Sequence, residues 1–373
     1  MRTADEKFMD RALELGRTRL GQTRPNPSVG CVIVLGNEIV GEGVTGPKGN
    51  PHGEDNALRQ AGEKARGATA YVTLAPCAHG KLGGCCVDLL IKAGVARVVI
   101  ATEDLDPRTA EISIARLKAA GIDVTVGVRQ KEAEQDHKGF FTLIEEGRPM
   151  FTLKLAQTRD NFIAIPDSQE RWITGLQARE QVQRMRAIYD AIMVGIGTVE
   201  ADDPYLTCRD PGYRGDDKIR IVLDTHLRIA LGKKEGDYHL VKTAQETPTW
   251  VIAGENANPA RRAALEKAGV KVIIVPEEND KLDLRAVGQA LGRERLTRVL
   301  CEGGAELAYA LAGAKLIDQM EIFTANKRAG KLARRVPGRF NIGELLETTS
   351  LAADPAIQRY GSDILQHYVA RLG

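Results

Sequence analysis

Apolar residues recur along the first part of this chain in two spacings, one helical and one typical of buried strands. Thr3 and Glu6 resemble a capping box, and apolar residues then follow at helical spacing as far as Leu20. Farther along, the pattern predicts strands and helices in turn: strands at 31–34, 38–41, 70–74, 97–101 and 122–126, and helices at 52–61, 86–93 and 112–120. The first two strands flank a hairpin turn at Asn37. Strands that alternate with helices imply parallel pairing in a layered α/β domain.

A second α/β series follows the polar, turn-rich stretch 145–149. Strands are predicted at 151–155, 191–194, 219–223, 249–252, 270–275 and 299–300, with a helix at 176–188. The runs 321–323 and 364–369 are expected to be antiparallel strands that close this part. A chain of 373 residues is long enough for two cores. The pattern therefore predicts two α/β domains, residues 1–147 and 148–373.

Composition narrows the class of partner. The formal net charge is +2 with scattered Lys and Arg, and 5% of residues are aromatic, which speaks against nucleic acid. No apolar run has the length of a membrane span, and the acidic N-terminal residues do not resemble a signal peptide. Six cysteines in such a chain indicate reduced thiols. We expect a cytoplasmic homo-oligomer that acts on a small molecule, without a nucleic-acid or membrane partner.

The strongest chemical signal in the first half is an ordered set of zinc-binding residue types. His52 and Glu54 precede a Pro-Cys pair at Cys77, and a further cysteine follows at Cys86. One imidazole and two thiolates can hold zinc in three of four tetrahedral positions and leave the fourth for water. The metal lowers the pKa of such a water, and a carboxylate that is not a ligand then moves protons. The pattern predicts a hydrolytic deaminase in which Glu54 carries the protons.

Two features leave this assignment open at the level of the residues. The spacing departs from a short Pro-Cys-x-x-Cys signature, because eight residues separate Cys77 from Cys86. Cys85 adjoins Cys86 and is a rival ligand. The alternative interpretations are a closed structural zinc site and ordinary buried thiols. A structural site usually supplies a fourth protein ligand, and the pattern does not show one.

The second half carries glycines in two strand-to-helix turns, Gly195-x-Gly197-Thr198 and Gly303-Gly304. Glycine lets a phosphate approach the backbone N–H groups at a helix N-terminus, where the dipole favours anions. Two such turns favour a nucleotide or phosphate site, although each alone is also ordinary turn geometry. Arg186 and Arg209 are candidates for bidentate phosphate contacts, with surface arginines as the alternative. The acidic stretch 201–204 is predicted to be a loop.

These motifs together resemble the bifunctional deaminase/reductase family of riboflavin biosynthesis over nearly the whole chain. The N-terminal motifs are Pro25-Asn26-Pro27-x-Val29-Gly30, Pro51-His52-x-Glu54 and Pro76-Cys77-x-His79. The C-terminal motifs are Leu153-Lys154-Leu155-Ala156, Trp172-Ile173-Thr174-Gly175, Ala201-Asp202-Asp203-Pro204 and Glu302-Gly303-Gly304. The resemblance implies a cytidine-deaminase-like three-layer α/β/α domain followed by a dihydrofolate-reductase-like α/β domain. It implies zinc-dependent deamination of a diaminopyrimidinone ribosyl phosphate, then NADPH-dependent reduction of the ribosyl to a ribityl chain.

Position by position, the resemblance also implies roles for individual residues. Zinc falls on His52, Cys77 and Cys86, the last preferred to Cys85 by the register of the residues that follow, and Glu54 is the proton carrier. The cofactor positions are Ala156, Trp172, Thr198, Asp202 and Gly304. The substrate positions are Glu170, Arg186, Leu206, Arg209 and Glu302, with the two arginines expected to hold the ribose phosphate.

Several positions depart from the family pattern. Gly53 and Ala75 replace a usual Ala and Glu in the first half, and Glu111 adds an acid to a loop expected near the deaminase substrate. In the second half, Asn161 and Glu170 replace a usual Gly and Ser. The alternatives are therefore a chain that retains the deaminase with a weakened reductase, a nucleic-acid-editing zinc deaminase, and a non-catalytic binding protein on these folds.

Overall fold

The protein is described by a computed structural model that covers residues 2–79, 84–163, 172–233, 237–329 and 342–370. The chain divides into two compact units, Met1–Gly147 and Arg148–Gly373, and each contains its own sheet and core. Among the helices of the described segments, none combines the length and apolar character that a bilayer crossing would require. The α/β class predicted from the hydrophobic pattern is confirmed for both units.

The first unit contains five strands and five α-helices within the described residues. In chain order they are α1 Ala4–Arg17, β1 Gly30–Leu35, β2 Glu38–Val44, α2 Gly53–Ala61, β3 Thr69–Val72, α3 Cys86–Ala93, β4 Arg97–Ile100, α4 Ala110–Ala119, β5 Asp123–Val126 and α5 Gln130–Glu146. The capping box at Thr3 and Glu6 is confirmed, because each side chain accepts from the other residue's backbone N–H. Helix α5 was not predicted, since its sequence is mostly polar and charged.

The first sheet has the strand order β2-β1-β3-β4-β5. Strands β3, β4 and β5 are parallel, as predicted, and the hairpin at Asn37 joins β1 to β2. β1 is antiparallel to β2, as the predicted hairpin requires, but the prediction of parallel pairing is wrong for β1 and β3, which are antiparallel. The reason is the crossover through α2: it starts from β2 and returns the chain on the far side of β1, so β3 runs against β1.

Successive side chains along each strand of this sheet point to opposite faces, and a separate apolar cluster packs on each face. The sheet is therefore the middle of three layers. Cys31 and Ile33 of β1 belong to one apolar cluster, which includes residues of α2 and α3. Val32 and Val34 point the other way, into a cluster with Met9 and other residues of α1. The layer that contains α2 and α3 also contains the predicted zinc ligands, so the metal chemistry lies on one face of the sheet.

The second unit contains eleven strands and seven α-helices within the described residues. They are β6 Met150–Thr158, α6 Leu176–Ala187, β7 Ala191–Gly195, α7 Ile196–Asp202, β8 Ile219–Leu223, α8 His239–Lys242, β9 Thr249–Gly254, α9 Pro259–Lys267, β10 Lys271–Val275, β11 Glu277–Glu278, β12 Lys281–Leu282, α10 Leu284–Arg293, β13 Arg298–Cys301, α11 Ala305–Gly313, β14 Gln319–Ala325, α12 Ile342–Glu347, β15 Leu351–Tyr360 and β16 Asp363–Ala370. β11 and β12 form a separate two-stranded hairpin.

The second sheet has nine strands in the order β10-β9-β8-β7-β13-β6-β14-β16-β15. All neighbours from β10 to β14 are parallel, whereas β16 and β15 are antiparallel additions at one edge. The expectation of an antiparallel closing strand is confirmed for 364–369. It is confirmed for 321–323 as well, because β14 pairs antiparallel with β16 and is parallel only to its other neighbour, β6. The predicted strand-to-helix transition is confirmed at Gly195, which ends β7 and is the N-cap of α7, with Gly197 in the first turn of that helix. The predicted acidic loop is wrong for 201–202, which lie at the end of α7.

Candidate functional site

The predicted zinc ligands converge in the first unit, and each stands at the end of a secondary-structure element. His52 is the N-cap of α2, Cys77 follows β3, and Cys86 is the first residue of α3. Their ligand atoms all lie within 4.8 Å of one another. The His52 Nδ1 atom is 3.2 Å from Cys86 Sγ and 3.6 Å from Cys77 Sγ. The carboxyl end of a strand and the start of a helix are where α/β sheets place their sites.

This donor set fits a catalytic zinc ion better than a structural one. Within the described segments it is the one group of His, Cys, Asp and Glu residues close enough to share a metal. It offers three protein ligands of the softness zinc prefers, and so leaves a position for water or substrate. The Cys77 thiol has its pKa lowered to about 4 by hydrogen bonding from Cys86, while the pKa of Cys86 is raised well above its ordinary value. A bound cation would stabilise both thiolates.

Glu54 lies in the first turn of α2 with 3% of its surface exposed. Burial, followed by the charge of Cys77, raises the pKa of its carboxyl to about 7. A carboxyl group with a pKa near the working pH can both accept and release a proton, which is the property a general acid–base needs. The structure also explains why residue 53, just before it, is a glycine. A Cβ atom at this position would lie 2.4 Å from the Val29 carbonyl oxygen.

The structure distinguishes the two adjacent cysteines. The Cys85 thiol donates to Asp88 Oδ2 at 3.1 Å and lies 3.4 Å from Arg116 Nη1, away from His52. The same Arg116 nitrogen donates to the Ala78 carbonyl oxygen at 3.0 Å. Arg116 therefore ties together the two chain segments that carry the other ligands. Sequence reasoning did not find Arg116, because nothing in its own helix indicates a role 28 to 38 residues away.

The acidic loop expected near the deaminase substrate is partly neutralised by its own residues. Asp106 forms an ion pair with Arg108, which holds the pKa of that carboxyl below its ordinary value. Asp104 is buried, and burial raises its pKa. Thr109 Oγ1 lies 3.2 Å from Nδ1 of His79, two residues beyond a predicted zinc ligand. The side chain of Glu111 lies outside the described residues, and Ala75 is buried in the core.

In the second unit, two predicted substrate residues contact each other. Arg186 Nε and Nη2 donate to the two carboxylate oxygens of Glu302 at 2.7 and 2.9 Å, and its Nη1 donates to the Thr207 carbonyl oxygen at 2.8 Å. Burial opposes the charge of Glu302, but Arg186 and then Lys154 keep its pKa below the ordinary value. Because its three nitrogens already donate to protein oxygens, Arg186 is arranged to hold Glu302 rather than to clamp a phosphate by itself.

Arg209 and Leu206 occupy the loop after α7. The Arg209 side chain is exposed, while its backbone N–H donates to Gln183 Oε1 at 2.8 Å, which fixes the loop to α6. Its guanidinium is near enough to lower the pKa of Glu302, so it borders the same group of charges. Leu206 is 3% exposed and has a φ of 49°, a left-handed conformation that a leucine rarely adopts. Glu170 lies outside the described residues.

Lys154 is a residue of this site to which sequence reasoning gave no role. It interrupts the apolar strand β6, and burial lowers the pKa of its ammonium group. Glu302 opposes that shift, whereas Arg186 reinforces it. The available signal was a lysine at the centre of a strand whose other residues are mostly buried. The structure thus adds a second cation beside the Arg186–Glu302 pair.

Three of the five predicted cofactor residues line one cavity of about 580 Å³: Thr198, Asp202 and Gly304. Gly304 is the N-cap of α11, and its turn has no side-chain cap, so the helix N-terminus can receive a phosphate. The cavity also contains His226, Arg228 and Lys281, which were not predicted. The cavity lies at the carboxyl ends of β7, β8 and β13. This position and the polar groups that line the cavity fit a dinucleotide.

The other two predicted cofactor residues do not line that cavity. Ala156 lies on β6, beside Phe323 of β14. Trp172 lines a second cavity of about 670 Å³, together with Gly175, Arg179, Lys327 and Asp363. Asn161, one of the departures from the family pattern, has a φ of 63° in the turn after β6. A left-handed residue there is consistent with the glycine that usually occupies this position.

Comparisons with known proteins agree with this two-part organisation. Residues 2–102 match the family model of the cytidine and deoxycytidylate deaminase zinc-binding region. Residues 149–364 match that of the RibD C-terminal domain. The chain is 38% identical to the riboflavin biosynthesis protein RibD of Escherichia coli, over 98% of this chain and 99% of that protein. It is 37% identical to RibD of Aquifex aeolicus over 89% of each chain.

Solved structures give the same result over the full length. Acinetobacter baumannii RibD superposes with a TM-score of 0.82 at 33% identity and covers 99% of both chains. A diaminohydroxyphosphoribosylaminopyrimidine deaminase/5-amino-6-(5-phosphoribosylamino)uracil reductase from Thermotoga maritima superposes with a TM-score of 0.80 at 29% identity, also over 99% of both chains. Both halves of the fold therefore occur together in related proteins.

Proposed function

Because this chain belongs to the RibD family of bifunctional deaminase/reductases of riboflavin biosynthesis, we propose that residues 1–147 catalyse its zinc-dependent deamination and residues 148–373 its NADPH-dependent reduction. The substrate class is a diaminopyrimidinone ribosyl phosphate, in agreement with the activity named for the Thermotoga maritima relative. The observation that carries the proposal is the convergence of His52, Cys77 and Cys86 beside the buried carboxyl of Glu54.

In the deaminase, His52, Cys77 and Cys86 hold the zinc ion. Zinc, when bound, supplies the Lewis acidity that makes water a nucleophile near neutral pH. Glu54 would move two protons in turn, one from the attacking water to the ring nitrogen and the other from the added hydroxyl to the amine, which leaves as ammonia. Its pKa of about 7 suits both steps, because the carboxyl can hold or release a proton at little cost. Arg116 keeps the two cysteine-bearing segments together.

In the reductase, Thr198, Asp202 and the turn at Gly304 would hold NADPH, and the N-terminus of α11 offers backbone N–H groups to a phosphate. NADPH supplies the hydride. Arg186 holds Glu302 as a carboxylate, and this anion orients the opened sugar by accepting hydrogen bonds from its hydroxyl groups. Arg209, whose guanidinium is exposed beside this pair, binds the ribose phosphate. Ala156 and Trp172 are proposed to contact the cofactor outside the cavity that contains Gly304.

The decisive experiment supplies the diaminopyrimidine ribosyl phosphate with and without NADPH and follows ammonia and NADPH separately. We expect ammonia without NADPH, and NADPH oxidation only after ammonia has formed. Ammonia without any NADPH oxidation would show that this chain retains the deaminase alone. Neither signal, from a protein that contains zinc, would contradict the proposed function.

We also propose that the enzyme is cytoplasmic and homo-oligomeric. All six cysteines are free thiols in the structure, which supports a reducing compartment. Light scattering coupled to gel filtration tests the oligomeric state, and a mass of one chain, 40.6 kDa, would contradict it.

A further inference from the structure

Asp363 is a buried carboxylate that the proposed function does not use. It is the first residue of β16, near the C-terminus, and only 3% of its surface is exposed. It lines the cavity of about 670 Å³ that also contains Trp172 and Gly175. An aspartate buried this deeply needs several hydrogen-bond donors to offset the loss of hydration. The identity of these donors indicates what the carboxylate holds in place.

The donors come from three separate parts of the second unit. The backbone N–H of Gly175, 188 residues earlier in the chain, donates to Asp363 Oδ2 at 2.7 Å. The Ser362 hydroxyl donates to Oδ1 at 3.2 Å, and the backbone N–H of Asn326 donates to it at 3.4 Å. Asp363 therefore joins the residue before α6 to the residue that follows β14.

Gly175 is the N-cap of α6, and a glycine has no side chain with which to cap its own helix. Asp363, from another strand, accepts from the backbone N–H of Gly175 itself, which is the bond that the side chain at N3 makes in a capping box. A carboxylate at this end of a helix also interacts favourably with the helix dipole. A plain capping role would end there, with an effect on stability alone. The bond between Gly175 and Asp363 also affects the residues immediately before Gly175.

Residues 172–175 form a short segment, here called the Trp172 segment, that is attached to its surroundings at several points. Lys327 Nζ donates to the Trp172 carbonyl oxygen at 2.8 Å, and the Arg179 guanidinium lies 5.4 Å from the centre of the Trp172 ring. Arg179 Nη1 donates to the Thr174 carbonyl oxygen at 3.0 Å. Lysine and arginine side chains are long and mobile, whereas the bond from Gly175 to Asp363 fixes the backbone to a strand of the sheet.

We propose that Asp363 is a positioning residue for the reductase: it fixes the backbone of the Trp172 segment so that the Trp172 ring is held where it would contact the cofactor. This inference rests on the proposed function, because it uses the cofactor role of Trp172. Asp363 itself touches neither substrate nor cofactor. Its effect is transmitted through Gly175 and should therefore reach NADPH binding before it reaches the chemical step.

The test compares Asp363→Ala, Asp363→Asn and the control Glu347→Ala, which removes an exposed carboxylate from α12. All three are made in the full chain with Trp250→Phe, so that fluorescence reports on Trp172, the other of the two tryptophans. The measurements are acrylamide quenching of Trp172, KM and kcat for NADPH, and ammonia release. Ammonia release comes from the first unit and is expected to be the same in every variant.

For Asp363→Ala we expect the NADPH KM to rise about tenfold, because a charge-assisted hydrogen bond to the Trp172 segment is lost. The kcat should change less than about threefold. Trp172 quenching should rise by about twofold as the segment loosens. Asp363→Asn retains one acceptor oxygen and should fall between Ala and the unaltered chain. Glu347→Ala should match the unaltered chain in every measurement.

A role limited to capping α6 would give a different result. Asp363→Ala would then melt earlier while NADPH KM and Trp172 quenching stayed unchanged, and this would overturn the proposal. If Asp363→Ala does not fold, Asp363→Asn decides: unchanged NADPH KM and unchanged quenching overturn the inference in the same way. Failure of the proposed function looks different, since the unaltered chain would then not oxidise NADPH, while Trp172 quenching would still report on the segment.

Discussion

The two candidate sites of this protein differ in how far apart their residues lie along the chain. In the deaminase half, His52, Cys77 and Cys86 lie within 34 residues of one another. His52 and Cys86 stand at helix N-termini, and Cys77 lies in the loop after β3. In the reductase half, Arg186 and Glu302 are 116 residues apart, and Asp363 meets Gly175 across 188 residues. The first site is a local arrangement around two consecutive crossovers, through α2 and α3, whereas the second is assembled by the strand order of a sheet.

This difference has a physical consequence for substitutions. A metal site concentrates its binding energy in a few atoms, so the loss of one ligand removes most of the function. The reductase site distributes its energy over ion pairs and hydrogen bonds that also stabilise the fold. We therefore expect all-or-none effects on zinc and ammonia release in the first half, and graded effects on stability and KM in the second.

The largest expected effect comes from the two adjacent cysteines. Cys86→Ser removes a ligand that faces His52 and should leave purified protein with less than about a tenth of its zinc, and without ammonia release. Cys85→Ser is the matched control, since that thiol bonds to Asp88 instead, and it should retain zinc at the level of the unaltered chain. Metal analysis of both variants decides the assignment. Zinc loss from Cys85→Ser alone would reverse it.

Glu54→Gln should separate metal binding from proton transfer. The amide keeps the shape of the side chain but cannot carry a proton, so ammonia release should fall at least about a thousandfold while zinc is retained. Asp55→Asn, the next residue of α2, removes a carboxylate that bonds to Arg59 and should have little effect. Ammonia release and zinc content are measured together. Activity above a tenth of normal in Glu54→Gln would contradict the role of Glu54.

In the second half, Arg186→Met should leave the Glu302 carboxylate buried without its partner. We expect the free energy of unfolding of this half to fall by about 3–5 kcal/mol, measured by denaturant unfolding. Arg184→Met, two residues earlier on the exposed side of α6, should change it by less than about 0.5 kcal/mol. Equal effects from the two arginines would show that the buried pair has no special role.

The same pair predicts a pH dependence. Arg186 keeps the pKa of Glu302 below its ordinary value in the folded chain. Its stabilising effect is therefore present above the unfolded pKa of about 4.3, and is lost as the pH falls through the lower folded value. The stability difference between the unaltered chain and Arg186→Met should shrink below about pH 4. A difference that stays constant from neutral to acid pH would argue against the ion pair.

The smallest effect is expected at the rim of the reductase site. Arg209→Ala removes an exposed guanidinium from beside Glu302, and should raise the KM for the deaminated substrate about tenfold with little change in kcat. Arg214→Ala, an exposed arginine farther along the same loop, is the control. Substrate titrations at saturating NADPH measure both. An unchanged KM in Arg209→Ala would remove it as the phosphate ligand.

The sequence by itself determined what depends on neighbours along the chain. The spacing of apolar residues and the positions of turn residues predicted most of the helices and strands. The short motifs around His52 and Cys77 indicated a zinc site and its proton carrier. These signals are local because a helix cap or a buried strand leaves its pattern within a few residues. The same reasoning failed for α5, where a mostly charged sequence still buries one side of the helix, and for residues 201–202, which were predicted to be a loop and lie in α7.

Only the tertiary structure decided which distant groups meet. It made β1 antiparallel to β3, turned Cys85 toward Arg116 and away from His52, and paired Arg186 with Glu302. It also brought Asp363 to the start of α6. Such contacts follow from strand order and from the need of each buried charge for a partner. Periodicity along the chain does not encode these pairings, since it records whether a residue is buried and not what it is buried against.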